Sequence, residues 1–141
     1  MIAAFCIPGE PVGKGRPRFN SQSGRTYTPA KTANYEMWVR ECCREGFDGF
    51  FPPGTPLKVD IFAFFPVPAS DSRVKRKKKL SGELKPTKKP DFDNLGKIIC
   101  DAINHIAYGD DCQITDARVI KRYGSRAFVQ VYITEDTATY E

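Results

Sequence analysis

Five residues carry the chemistry that stands out in this chain. Asp91 and Asp93 lie two positions apart, Lys97 follows four further on, and Asp110-Asp111 arrives behind Gly109 after about one helix length. Two aspartates at that spacing share a side where an extended segment leads into a helix. If the chain folds back alongside the helix start, Asp110 and Asp111 join them; that is an expectation about tertiary structure, not a consequence of spacing. Carboxylates brought within about 4–6 Å repel, and one then takes up a proton with its pKa moved by roughly one to several units, unless a cation intervenes. Magnesium, with manganese as a possible substitute, prefers oxygen ligands, keeps several waters, and sits between one or two carboxylates and a substrate phosphate. Water bound to such an ion is the expected nucleophile, because the single histidine, His105, falls near the far end of the helix. Lys97 is one turn past Asp93 on the same side, where a cation can steady the carboxylates, hold a phosphate or protonate a departing oxygen.

Each residue also has a plainer reading. Asp93 alone would be a helix cap. Lys97 and Asp101 would be a surface pair worth a few tenths of a kcal/mol, and Asp110-Asp111 a turn. Their joint occurrence in a chain of net charge +5 points to a divalent cation held against a polyanion. Competing motifs fail. The stretch from Asp91 opens like a calcium loop, but Leu95 replaces an oxygen ligand and Ala102 stands where the bidentate glutamate belongs. Pro8 occupies the first glycine position of a phosphate loop, and Gly15 follows Lys14 in place of serine or threonine. The lack of a CxxC pair and the single histidine argue against a cysteine/histidine zinc site.

The basic residues are grouped. Six of the seven residues 73–79 are basic (Arg73, Lys75, Arg76, Lys77, Lys78 and Lys79), and Lys85, Lys88 and Lys89 lead to the carboxylates. The glycine- and proline-rich opening adds Lys14, Arg16 and Arg18 beside Phe19 and Tyr27. These are expected to grip phosphates and, through the aromatics, to stack on unpaired bases.

The elements that must position these groups follow from periodicity. Residues 1–7 read as a first strand and 8–29 as a loop. Residues 30–45 read as a helix with Ala33, Met37, Arg40 and Cys43 on one side, Trp38 leaning on the sheet, and Gly46 as its stop. Leu57, Val59, Ile61, Ala63 and Phe65 alternate in a strand that ends at Pro66. Residues 68–90 form a long basic loop without apolar periodicity. A helix from Asp93, its side chain capping the first turn, runs to about Ile106 and packs through Leu95, Ile98, Ala102 and Ile106. Two last strands, 114–123 and 126–134, read as a tight hairpin about Gly124-Ser125, and 135–141 as a loose tail. The prediction is one α+β domain over 1–141, a mixed sheet packed against two main helices. Five cysteines, an odd number with two adjacent, fit a reducing, cytoplasmic setting, and no apolar stretch approaches a membrane span.

The run Lys89-Pro90-Asp91-Phe92-Asp93-Asn94-Leu95-Gly96-Lys97, with Asp101-Ala102-Ile103-Asn104, Gly109-Asp110-Asp111-Cys112-Gln113-Ile114 and the closing strands, resembles the RusA family of Holliday junction resolvases, crossover junction endodeoxyribonucleases. The opening from Pro8 to Phe19, with Arg25-Thr26-Tyr27-Thr28-Pro29, resembles the variant found in phages and prophages of bacteria. The resemblance implies a homodimeric, magnesium-dependent endonuclease of DNA recombination and repair that resolves four-way junctions by paired cuts. It places the essential carboxylates and metal ligands on Asp91, Asp93 and Asp111, the essential lysine on Lys97, and supporting roles on Asp101 and Asp110. The long basic insertion before Asp91 and the glycine-rich opening depart from the shorter bacterial form. Two other readings stay open: a non-catalytic DNA-binding module, and a metal nuclease acting on flaps or other branched DNA.

Overall fold

In the computed structural model, which describes residues 1–140, the alternating segment predicted around Ile61 is the centre of the molecule. Strand β4 (Leu57–Pro66) buries Leu57, Val59, Ile61, Ala63 and Phe65 on one face, as its period of two requires. It belongs to a four-stranded mixed sheet with β1 (Ile2–Pro8), β5 (Ile114–Gly124) and β6 (Phe128–Glu135), in the order β1-β6-β4-β5. The β1/β6 and β6/β4 pairs are antiparallel, whereas β4/β5 is parallel. Helices α1 (Ala30–Gly46) and α3 (Phe92–Ala102) cover the apolar face, so the core lies between one sheet and two main helices. On the other face Phe62 meets Tyr132 edge to face at 6.0 Å and Phe64 stacks on Phe128 at 4.6 Å. The α+β fold with a mixed sheet is as expected.

Four local expectations are corrected. The last two strands do not form a hairpin. They flank β4, and residues 125–127 carry the chain over its end. A strand whose two edges are both open satisfies twice the backbone groups by sitting centrally, and Gly124 serves that crossing: a Cβ there would lie 2.9 Å from the Arg126 carbonyl oxygen and 3.2 Å from Phe64 Cβ. The opening loop contains a small hairpin, β2 (Arg18–Asn20) with β3 (Arg25–Tyr27), turned by the Asn20 side chain, which accepts from the Gln22 and Ser23 amides. Helix α1 buries Thr32, Tyr35, Val39, Cys42 and Cys43, while Met37 is exposed; aromatic and β-branched bulk outweighs the alanine–methionine stripe. Trp38 reaches the sheet edge by donating its indole N–H to the Pro8 carbonyl at 2.8 Å.

The fourth correction concerns the basic segment, which is a helix, α2 (Arg73–Leu80), and not a loop. Ser72 caps it by accepting the Lys75 amide at 3.2 Å. No apolar stripe announces it because one residue docks it: Lys79 is buried, pairs with Asp71 at 2.5 Å and lies 4.8 Å above the Tyr123 ring on β5. A second tether follows where Lys121 of β5 donates to the Lys88 carbonyl at 2.5 Å. The Lys79 partner holds Asp71 below the usual carboxylate range. The pair therefore contributes stability above the ordinary carboxylate pKa and loses it as the pH falls through the lowered one. Lys79→Ala is expected to make residues 71–85 several-fold more sensitive to limited proteolysis at neutral pH, while Lys77→Ala and Lys78→Ala leave the cleavage rate unchanged.

Candidate active site and nucleic-acid interface

Helix α3 presents two chemically distinct sides because its apolar residues repeat at helical spacing. Leu95, Ile98, Ile99 and Ala102 are buried, which leaves Asp93, Lys97 and Asp101 on the other side. Its start differs from the expectation. Asp91 holds the N-cap position, and Asp93 sits within the first turn. The Leu95 amide bonds the Asp91 backbone carbonyl at 3.0 Å, while the Asp91 side chain makes no cap hydrogen bond. Helix geometry therefore leaves the Asp91 carboxylate available, and the positive end of the helix favours a negative charge there. The helix also ends earlier, at Ala102. Residues beyond it fold back, with Ile103, Ala107 and Tyr108 buried and the Tyr108 hydroxyl donating to the Cys100 carbonyl at 2.7 Å.

The return to the sheet is built on Gln113. Its side-chain oxygen accepts from the Asp110 amide at 2.9 Å, and its amide nitrogen donates to the Pro52 and Thr55 carbonyls, each at 2.9 Å. Asp110 accepts the Asp111 amide at 3.0 Å, closing a capping box around a short turn that leads directly into β5. Gly96 lets α3 approach β5 closely: a Cβ there would stand 3.3 Å from Val119 Cγ2. The outcome is a cavity of about 420 Å³ between α3 and β5, lined by Asp93, Lys97, Asp101 and Asp111 beside Phe92 and Cys100.

Asp91 lines a neighbouring groove of about 1030 Å³ together with Lys14, Arg16, Arg18, Lys89 and Asn94. Thus Asp93, Lys97, Asp101 and Asp111 share one cavity, while Asp91 stands at the helix tip beside the next. Among the described residues, no three histidine, cysteine or acidic side chains converge tightly enough to enclose a metal ion by themselves. The donor chemistry nevertheless fits a hard dication: all candidate ligands are carboxylate oxygens, and Asp93, Asp101 and Asp111 outnumber the one lysine, Lys97, that lines the cavity with them. Burial pushes the Asp111 carboxyl up, and the charges of Asp110 and Asp101 push it further. Asp110 moves the other way, drawn down by hydrogen bonds from the Cys112 thiol, the Asp111 amide and Asn104. Burial raises the Cys100 thiol to about 11, so the cysteine beside the cavity is not a thiolate nucleophile.

The basic residues divide into three groups. Arg16, Arg18 and Lys89 line the groove, joined by Lys31, which carries no signal in the sequence because it opens α1 away from any basic run. Arg73, Lys75, Arg76, Lys77 and Lys78 are exposed on α2, and Lys88 is exposed just before the carboxylates. Lys14 and Lys79 were expected to grip phosphate but are engaged internally, Lys14 with Glu36 and Asp101 and Lys79 with Asp71.

Among known proteins, the family profile of endodeoxyribonuclease RusA matches residues 8–134. An uncharacterized protein, YqaN, of Bacillus subtilis (strain 168) is 37% identical over 138 residues, an alignment spanning 95% of this chain and 96% of that protein.

The raised Asp111 pKa fixes the sign of a measurable effect. A carboxyl that holds its proton more tightly when folded favours the folded state at low pH, and that advantage is lost as the pH rises through its raised pKa. Asp111→Asn is therefore expected to raise the thermal midpoint of the metal-free protein at neutral pH. The gap should narrow as the pH is lowered into the carboxylate range, which thermal melts in chelator would register.

Proposed function

The chain belongs to the RusA family of endodeoxyribonucleases, and on that premise we propose that it resolves four-way DNA junctions by phosphodiester hydrolysis dependent on magnesium, or on manganese in its place. The observation that carries this reading is the single cavity in which α3 and the start of β5 bring together Asp93, Lys97, Asp101 and Asp111, next to a groove lined by arginine and lysine. In it, Asp93 and Asp111 are the carboxylates that would hold the ion, with Asp91 approaching from the helix tip and Asp101 and Asp110 in support. A bound dication supplies charge neutralisation at the phosphoryl group and acidifies water.

The remaining steps belong to the protein's own side chains. Lys97 is exposed one turn beyond Asp93, where its ammonium stabilises charge on the scissile phosphate and can protonate the departing oxygen. Arg16, Arg18, Lys31 and Lys89 fix the backbone of one DNA arm in the groove, and the exposed basic residues of α2 grip another. Phe92, 67% exposed between Asp91 and Asp93, offers an aromatic face beside the cavity. Junction resolution needs two symmetric cuts, which an isologous homodimer supplies through two equivalent sites. Five free thiols fit a reducing compartment, where DNA recombination and repair occur. No helix among the described residues is long and apolar enough to cross a membrane.

A labelled four-way junction, a flap and a linear duplex, each incubated with Mg²⁺ or with chelator, test the proposal. Asp93→Asn is expected to lose cutting by more than the roughly 10–100-fold typical of changes around a metal site while still binding the junction. Wild-type-like cutting by that variant would refute the site, and binding without any cutting by the native protein would favour a non-catalytic module. Equal cutting of the flap would broaden the substrate to branched DNA in general. Replacing Lys75, Arg76, Lys77 and Lys78 with alanine should weaken binding on all sequences and flatten its salt dependence, the log–log slope falling by about 0.9 for each phosphate that is no longer neutralised.

A further inference from the structure

Lys14 lines the basic groove, yet its ammonium is held by carboxylates. Its Nζ lies 3.2 Å from both carboxylate oxygens of Glu36 on α1 and 3.3 Å from Asp101 Oδ2 on α3. Its side chain is 22% exposed and that of Glu36 12%. Bringing the segment there takes several local devices. The Lys14 amide donates to the Asn94 carbonyl at 3.0 Å, and the Gly15 amide donates to Thr32 Oγ1 at 3.0 Å. Gly13 has no alternative, since a Cβ would fall 2.6 Å from Pro90 Cβ. The backbone around Lys14 is thus stitched to both helices, and the ammonium occupies the place where they meet.

We infer that Lys14 is a positioning residue of the cleavage site: it fixes the Asp101 carboxylate at the wall of the α3/β5 cavity and joins that cavity to the basic groove beside it. The inference rests on the reading of Asp93, Lys97 and Asp111 as the cleavage site. The charge count supports it. One ammonium between two carboxylates leaves the group net negative, so a DNA phosphate gains nothing by approaching, and could recruit Lys14 only by displacing Asp101. The groove residues Arg16 and Arg18 follow within four positions on the same strap. A phosphate held by them therefore bears on the segment that orients Asp101. Glu36 acts as the counterweight that keeps Lys14 from swinging out into the groove.

Single-turnover cutting of a four-way junction and equilibrium binding of the same junction without cutting, in Ca²⁺, separate the two roles. Lys14→Met keeps the aliphatic stem and removes the charge. It is expected to slow the saturating cleavage rate roughly tenfold or more, with the dissociation constant within about twofold and the salt slope unchanged. Lys14→Arg should restore most of the rate, and Lys14→Met combined with Asp101→Asn should be no slower than the worse single variant. A lysine that binds phosphate gives the opposite pattern: weaker binding, a salt slope lower by about one, and an unchanged rate at saturation. That pattern, or multiplicative effects at positions 14 and 101, overturns the inference. Glu36→Gln provides the same coupling test from the other carboxylate should Lys14→Met fold poorly. Normal cutting by Lys14→Met beside an inactive Asp93→Asn refutes the role of Lys14 alone. Normal cutting by Asp93→Asn refutes the site itself.

Discussion

The parallel pairing of β4 with β5 is the constraint on which the rest of the structure depends. Antiparallel neighbours can be joined by a turn, but a parallel pair obliges the chain to return from the end of one strand to the start of the other. The return from Pro66 to Ile114 carries α2, α3 and the Gln113 turn, so nearly every group with chemical potential lies on this crossover. Its two ends are tied down separately. Lys79 and Lys121 fasten the basic segment to β5, and Gln113 fastens the Asp110–Asp111 turn to the 52–55 segment just before β4. Between those ends α3 has one way to lie, apolar side inward.

That placement also creates the electrostatic problem that makes the cavity chemically useful. The apolar side of α3 brings the helix within van der Waals reach of β5 at Gly96, and the acidic side necessarily comes close to whatever β5 presents at its start. The turn leading into β5 presents Asp111, partly desolvated and facing like charges. Protonation of a carboxyl or the approach of a cation each relieves such repulsion. The opposite shifts of Asp110 and Asp111 follow from geometry: Asp110 collects donors as the cap of its turn, while Asp111 projects into the cavity.

Much of this is legible in the sequence where a residue's neighbours are local. The alternation of β4, the buried stripe of α3 through Leu95, Ile98 and Ala102, and the grouping of Asp93 with Lys97 and Asp101 follow from spacing alone. The misreadings share a cause, which is that a distant partner decides them. Gly124-Ser125 resembles hairpin chemistry, yet the glycine is there because the Arg126 carbonyl and Phe64 of β4 leave no room for a Cβ. The basic run has no stripe because the aliphatic stem and ammonium of Lys79 dock it on Tyr123. Asp93 fits a cap, but Asp91 fills that position. Gln113, which pins the turn delivering Asp111, carries no signal in sequence because its partners lie near residues 52 and 55.

The charge of the chain is accordingly a poor guide to which cations meet DNA. A lysine in a basic run and a lysine in a glycine-rich strap look alike in one dimension, but the structure commits Lys79 and Lys14 to carboxylates. Both act at joints between basic surfaces and the core: Lys79 between α2 and β5, Lys14 between the opening strap and α3. Those same two elements, β5 and α3, form the walls of the acidic cavity. Lys79 thereby ties the basic helix to the strand that follows the Asp111 turn. Lys14 ties the glycine-rich strap to the helix that carries Asp93 and Lys97.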